Sequence, residues 1–161
     1  MRGVLLVVAG MVIGAAVQSA VAQQNRPDMY VNHVGIAVPS VSEAIAYYTQ
    51  KLGGREAFRQ TDKEGKLVSA YVQMSKNTFI EIQESNAQRP VGVSHFGLAV
   101  ASIEDAVKFF RANGATASDP GAPSAFSHAR LANVTDLNGI RIELAELTPE
   151  SLQKKAIDGW K

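Results

Sequence analysis

The sequence contains a long internal repeat, and this repeat most constrains the fold. Residues 33–48 read HVGIAVPSVSEAIAYY, and residues 95–110, which lie 62 positions later, read HFGLAVASIEDAVKFF. At the same offset, IEI at 80–82 corresponds to IEL at 142–144. Each copy therefore starts with a histidine and carries a glutamate 48 positions later. Such self-similarity predicts two copies of one supersecondary unit within a single domain.

The first copy has the pattern of a strand, a helix and three further strands. Residues 30–38 alternate, with Val34, Ile36 and Val38 on one face and His33 on the other. Ser40, followed three residues later by Glu43, indicates a helix start. The remaining apolar runs predict strands at 55–61, 67–74 and 78–83. We expect an α+β fold of two tandem βαβββ modules, module one over 30–84 and module two over 92–146.

The second copy repeats the first strand and helix, with Ser102 and Asp105 at the positions of Ser40 and Glu43, and then diverges. Residues 118–124 (SDPGAPS) read as a loop, and residues 126–134 are predicted to form a strand. Asn138-Gly139 marks a hairpin turn before the last strand. In the tail, 148–161, a helix is expected to begin at Thr148-Pro149-Glu150, with proline at the first helical position. That helix would cover a sheet edge or dock on a second subunit.

The first 22 residues have the features of a signal peptide. Arg2 precedes an apolar run over 4–17, and small residues occupy positions 20 and 22. We expect cleavage after Ala22 and export, most simply to a bacterial periplasm or as a secreted protein. An uncleaved membrane anchor is the alternative, because the run nearly reaches the ~20 residues that a spanning helix needs.

The charge balance narrows the class of partner. The net charge is +1, which gives no electrostatic footprint for nucleic acid or an anionic membrane. The chain has no cysteine, which excludes disulfides and thiol catalysis. These properties therefore give no indication of a nucleic-acid or membrane partner.

Four residues preserved by the repeat form a candidate metal site: His33, Glu81, His95 and Glu143. A single strand histidine is usually structural, and a single strand glutamate is usually a solvated charge. Here, however, each lies opposite the apolar stripe of its strand, at matched spacing in both copies. Two imidazoles and two carboxylates suit a divalent first-row metal such as zinc, nickel, cobalt, manganese or iron.

Other residues on the same strand faces are weaker candidates. Gly35 and Gly97 follow each histidine by two residues and would give either a strand bend or room for a ligand beside the metal. Arg141 shares a face with the second glutamate, where it could meet an anionic substrate or simply be exposed. Tyr71 and Gln73 could line the pocket or pack in the core.

The chain resembles the vicinal oxygen chelate superfamily, which includes glyoxalase I, methylmalonyl-CoA epimerase, fosfomycin-resistance proteins and extradiol dioxygenases. The resemblance is carried by NHVGIAVPSVSEAIAYY with LGG, by SHFGLAV and by TDLNGIRIEL. It implies paired βαβββ modules in a curved mixed sheet or barrel. It also implies a metal held by the first-strand histidine and last-strand acid of each module, here His33, Glu81, His95 and Glu143.

The complete ligand set looks like that of glyoxalase I, with the epimerase close to it. Dioxygenase-like and fosfomycin-type members use two histidines and one glutamate, whereas this chain also has Glu81. The resemblance therefore implies a glyoxalase I-like lyase or isomerase that moves a proton next to a carbonyl on a small oxygen-chelating substrate. Glu143 would be the principal base and Glu81 the complementary acid/base. The alternatives are a ring-cleaving dioxygenase and a non-catalytic small-molecule-binding protein.

Modules in this superfamily pair within one chain or across a dimer. We therefore expect a homodimer, with the site inside one chain or shared between two. Glyoxalase I acts on glutathione adducts and is normally cytosolic, unlike an exported chain. Arg59 lies about one residue out of register with the arginine that contacts glutathione there.

Overall fold

The computed structural model describes residues 26–161, and the predicted signal peptide lies outside them. Module one consists of β1 Met29–Val38, α1 Val41–Gln50, β2 Arg55–Thr61, β3 Leu67–Ser75 and β4 Thr78–Glu84. Module two consists of β5 Gly92–Val100, α2 Ile103–Ala112, β6 Thr116–Ala117, β7 Arg130–Thr135 and β8 Arg141–Glu146, and α3 Leu152–Asp158 follows. The predicted α+β class and the βαβββ order are confirmed. Within this range, no helix is long and apolar enough to cross a bilayer.

The eight strands form one mixed, open sheet in the order β2-β3-β4-β1-β5-β8-β7-β6. β1 pairs in parallel with β4, and β5 pairs in parallel with β8. β1 and β5 then pair antiparallel and join the two modules. Of the two implied forms, a curved mixed sheet or a barrel, the chain has the open sheet, which is continuous across both modules. Each first strand would otherwise leave one edge of unpaired backbone groups, and the β1–β5 pairing satisfies both.

Both long helices pack on the same side of this sheet. Val41 and Ile45 of α1 contact the apolar stripe of module one, which includes Ile82. Ile103 and Val107 of α2 contact the equivalent stripe of module two. The predicted capping serines begin both helices, with side-chain oxygens that accept hydrogen bonds from backbone N–H groups three residues on at 3.3 and 3.2 Å. The histidine and glutamate positions consequently face the opposite side.

Two predicted boundaries are wrong, and local hydrogen bonds explain both. The strand expected at 126–134 begins only at Arg130, because Ser124 Oγ accepts from two following backbone N–H groups and turns the chain. The last helix begins after Ser151 rather than at Pro149. Ser151 Oγ accepts from Lys154 N at 3.2 Å, and Leu152 N donates to Ser127 O at 2.8 Å.

The last helix lies across the site-bearing face of module one. Ile157 of α3 packs in one cluster with Tyr71 and Phe79, whose side chains point away from α1. Gln73 Nε2 donates to the carbonyl oxygen of Ala156 at 3.3 Å. The helix thus covers a face of the sheet rather than only an edge.

Candidate metal centre

The two histidines lie side by side where β1 pairs with β5. His33 pairs in register with Gly97, and Gly35 pairs with His95, so the arrangement is reciprocal. Their Nε2 atoms lie 3.1 Å apart, and the two residues are 0% and 1% exposed. The repeat therefore produces a local pseudo-twofold axis, with one imidazole from each module beside it.

The glycines opposite each histidine create the space for these rings. A Cβ atom on Gly35 would lie 2.0 Å from His95 Cε1, and a Cβ atom on Gly97 would lie 2.0 Å from His33 Cε1. Any side chain would therefore overlap with an imidazole. The glycines give room for the histidine of the other module, which sequence reasoning had assigned to a ligand or a strand bend.

Both predicted carboxylates lie beside the imidazoles. Glu81 Oε2 lies 2.9 Å from His95 Nε2 and 3.6 Å from His33 Nε2, and Glu143 Oε1 lies 3.5 Å from His33 Nε2. Ligand atoms of His33, His95 and Glu143 all lie within 4.8 Å of one another. A single chain thus brings all four predicted side chains together. Their role as metal ligands stays a prediction.

A β-bulge precedes each histidine, and the bulged residue provides a polar partner for the Nδ1 atom of that histidine. The β1–β5 register shifts at Asn32 and again at Ser94, the corresponding position of the repeat. Asn32 Oδ1 lies 3.2 Å from His33 Nδ1, and Ser94 Oγ lies 2.9 Å from His95 Nδ1. Both hydrogen bonds engage Nδ1, and so the Nε2 atoms face the centre.

The surroundings favour a neutral His33 imidazole and a charged Glu81 carboxylate. Burial lowers the pKa of His33 to about 4, and the Glu81 carboxylate offsets this only in part. Burial by itself would raise the pKa of Glu81, but contact with His95 and the neighbouring positive charges outweigh it and lower the pKa. Burial, followed by repulsion from Glu81, raises the pKa of Glu143. Neutral imidazole is the form that binds a metal.

The ligand atoms of His33, His95 and Glu143 are close enough together to hold a divalent cation. Two ligands about 2.1 Å from one ion lie about 3.0 Å apart at a right angle and about 3.4 Å apart at the tetrahedral angle. The measured separations between nitrogen and oxygen atoms run from 2.9 to 3.6 Å. Glu81 Oε2 is buried, and apart from His95 Nε2 at 2.9 Å it meets no hydrogen-bond partner among the described residues. A cation at the centre would bind that oxygen and would reduce the repulsion between the lone pairs of the carboxylate oxygens and the histidine Nε2 atoms.

Of the remaining candidates, Arg141 and Tyr71 lie at the metal centre, whereas Gln73 has a structural role. Arg141 Nη1 donates to Glu143 Oε2 at 3.2 Å, and its side chain is 41% exposed at the mouth. Tyr71 is buried with its ring centroid 5.7 Å from that of His33, so it forms a wall of the site. Gln73 bonds Arg55 and the last helix, which is a structural role.

A family model for the Glyoxalase/Bleomycin resistance protein/Dioxygenase superfamily matches residues 30–144. The chain belongs to this superfamily. The match spans both modules and all four residues of the centre, and it confirms the family resemblance. A search of curated proteins gives no match.

Several solved structures share the fold. A hypothetical protein of Bacillus halodurans C-125 is 22% identical over 77% of this chain and 98% of its own, with a TM-score of 0.63. Methylmalonyl-CoA epimerase from Mycobacterium tuberculosis is 20% identical over 74% of this chain and 89% of its own, also at 0.63. A variant of the epimerase from Streptomyces coelicolor, in complex with 2-nitronate-propionyl-CoA, is 16% identical over 76% of this chain and 96% of its own, at 0.60. At these identities the likeness establishes the fold alone.

Sequence reasoning missed the residues that hold the histidines. Asn32 lies on the face predicted to be apolar, yet it is fully buried among polar partners because the bulge redirects it. A signal for it was present, because Asn32 and Ser94 are both polar, both precede the histidine and are 62 positions apart. Gln153, which donates to Asn32 Oδ1 at 3.2 Å, had no such signal.

Proposed function

We propose that the chain is a metal-dependent isomerase or lyase that moves a proton at a carbon next to a carbonyl. The substrate would be a small molecule with two adjacent oxygens, as for glyoxalase I. The observation that carries this proposal is the convergence of two imidazoles, whose Nε2 atoms lie 3.1 Å apart, and two carboxylates, whose oxygens lie 2.9 to 3.6 Å from those nitrogens. A homodimer and export to the periplasm stay predictions.

The metal would be held by His33, His95, Glu81 and Glu143. A divalent ion there would act as a Lewis acid on the substrate oxygens and stabilise the negative charge that develops as the neighbouring proton leaves. Glu81, whose pKa is lowered, is suited to stay charged and hold the cation. The raised pKa of Glu143 makes this carboxylate the stronger base, suited to accept and return the proton.

Two neighbours would assist the proton transfer. Arg141 donates to Glu143 Oε2 at 3.2 Å, which orients the carboxylate and leaves Oε1 toward the centre. Tyr71, stacked on Phe58 at 4.6 Å between ring centroids, excludes water from one side of the site. A dry wall strengthens the electrostatic interactions of the developing charge.

A ring-cleaving dioxygenase is the second candidate, and one observation favours it. His33, His95 and Glu143 alone form a compact two-histidine, one-carboxylate group, which is typical of iron oxygenases with open coordination positions. Against it, Glu81 Oε2 lies 2.9 Å from His95 Nε2, where it would occupy one of those positions. The position of Glu81 therefore favours proton transfer.

The decisive experiment combines metal content with solvent exchange. The full chain is purified without chelators, its metal is measured by elemental analysis, and candidate substrates are incubated with it in D₂O. The panel holds the methylglyoxal–glutathione adduct, methylmalonyl-CoA and a catechol with oxygen uptake recorded. We expect about one divalent metal per chain and metal-dependent deuterium incorporation next to a carbonyl.

Glutamate variants identify the base. Glu143→Gln should lower deuterium exchange by roughly a hundredfold or more, within the range of general base catalysis. Glu84→Gln is the matched control, because Glu84 lies on the strand of Glu81 but pairs with Lys66 outside the centre. Full exchange activity in Glu143→Gln would contradict the assignment. Oxygen uptake with the catechol would select the dioxygenase, and stoichiometric binding without turnover would select a binding protein.

A further inference from the structure

The C-terminal helix reaches the metal centre through one hydrogen-bonded chain of side chains. Gln153, in the first turn of α3, is 1% exposed, and its Nε2 donates to Asn32 Oδ1 at 3.2 Å. The same Asn32 oxygen lies 3.2 Å from His33 Nδ1. Residues of α3 follow the last residue matched by the family model, residue 144. A segment outside the superfamily match thus contacts the partner of a metal-site histidine.

The backbone of Asn77 fixes the orientation of the Asn32 amide. Asn32 Nδ2 donates to Asn77 O at 3.2 Å. If the oxygen and nitrogen of the Asn32 amide were exchanged, the Asn32 oxygen would face the Asn77 carbonyl oxygen. The Asn32 NH₂ group would then face the NH₂ group of Gln153. The atom that faces His33 is therefore the oxygen, an acceptor, and His33 Nδ1 must carry the proton. In the neutral ring, Nε2 then holds a free lone pair.

The polar side chain of Gln153 comes at a cost to folding. Its Oε1 atom is buried and has no hydrogen-bond partner among the described residues. A methionine of similar length would fill the same space without an unsatisfied acceptor. Packing of α3 alone is already served by Ile157, which lies in the cluster with Tyr71. The donor group of Gln153 therefore has a use other than packing.

The second module lacks an equivalent restraint. Ser94 occupies the position of Asn32 in the repeat, but its hydroxyl can donate or accept a hydrogen bond to His95 Nδ1. Only His33 is paired with a group that must accept.

We propose that Gln153 is a positioning residue for the metal centre. Its amide holds the Asn32 oxygen on His33 Nδ1, which keeps one tautomer and directs the Nε2 lone pair to the ion. This inference rests on the proposed metal function of the site, and it makes metal affinity depend on α3.

The test measures Co²⁺ affinity and histidine tautomer in the full chain. Visible absorption follows Co²⁺ titration, and long-range ¹⁵N NMR correlations report which nitrogen of His33 is protonated in the metal-free protein. Gln153→Met removes the donor at nearly constant volume. Lys155→Met, on an exposed position of the same helix, is the matched control.

Loss of a residue that hydrogen-bonds a metal ligand lowers metal affinity by about 10- to 100-fold. Gln153 contacts the ligand His33 only through Asn32, so we expect a smaller loss of about 3- to 10-fold for Gln153→Met. His33 should carry its proton on Nδ1 in the wild type and lose this single tautomer in the variant. Thermal stability of the metal-free variant should be equal or higher, because the unsatisfied oxygen is gone. Gln153→Glu, which places an acceptor against Asn32 Oδ1, should weaken Co²⁺ binding further.

Wild-type Co²⁺ affinity in Gln153→Met with an unchanged tautomer would overturn the inference. A wild-type His33 protonated on Nε2 would overturn it as well, even if the variants failed to fold. A wild type that binds no Co²⁺ would instead contradict the proposed function, and the tautomer would still decide the role of Gln153.

Discussion

Replacement of Gly97 by alanine should disable the metal centre with only moderate loss of fold stability. The new Cβ atom would lie 2.0 Å from His33 Cε1 and 2.5 Å from His33 Nε2. Packed carbon atoms stay about 3.5–4.0 Å apart, so the ring must retreat by roughly 1.5 Å. Functional ligands tolerate shifts of only about 0.5 Å. His33 would therefore leave the coordination sphere.

We expect Gly97→Ala to lose much of its metal affinity but only a moderate part of its free energy of unfolding. Overpacking should cost about 1–3 kcal/mol in the free energy of unfolding, measured by urea titration of the metal-free protein. Loss of a direct ligand should weaken Zn²⁺ or Co²⁺ binding by at least about 100-fold, beyond the effect of outer-shell changes. Gly121→Ala is the control, because its Cβ would meet only Leu131 O at an ordinary 3.5 Å. Metal binding by Gly97→Ala within a few-fold of wild type would refute the reasoning.

Three further predictions concern pH, metal and the last helix. Because the pKa of His33 falls from 6.5 to about 4 on folding, the unfolded chain protonates first. The metal-free protein should thus lose up to about 3 kcal/mol as pH falls across that window, measured by urea titration. An equal loss in His33→Gln would contradict this. Zn²⁺ at about 100 times its Kd should add about 2.7 kcal/mol, measured by thermal unfolding. EDTA should reverse this Zn²⁺-dependent stabilisation, and the His95→Ala variant should not show it. Stabilisation of equal size in His95→Ala would argue against Zn²⁺ binding at this centre. Ile157→Ala should cost about 2–3 kcal/mol against near zero for Lys155→Ala, and equal urea midpoints would show that α3 is not packed on module one.

Much of the fold was predictable because it follows from local patterns that occur twice. Alternating apolar positions defined the helix-facing side of the first and last strands of each copy, and Ser40 and Ser102 marked both helix starts. The start of α3 was not predictable in this way. It depends on a backbone hydrogen bond from Leu152 to Ser127, a contact between segments with no pattern in common.

The centre was predictable only as far as the repeat extends. His33 and Glu81 were identified because equivalent residues recur at His95 and Glu143. Side-chain periodicity cannot detect a bulge, so periodicity alone placed Asn32 on the helix-facing side, and the recurrence of a polar residue at Ser94 was the one signal for its role. The reciprocal fit of each glycine to the opposite imidazole needed the β1–β5 register, which no single strand specifies.

X-ray absorption at the metal edge of the purified protein tests the proposed centre most directly. Two imidazole nitrogens and two carboxylate oxygens should surround one ion, at about 2.0–2.2 Å for zinc. His95→Ala should remove one imidazole from that shell. A spectrum from the metal-bound wild type without imidazole scattering would show that the ion binds elsewhere, and the metal-dependent function proposed for these four residues would be wrong.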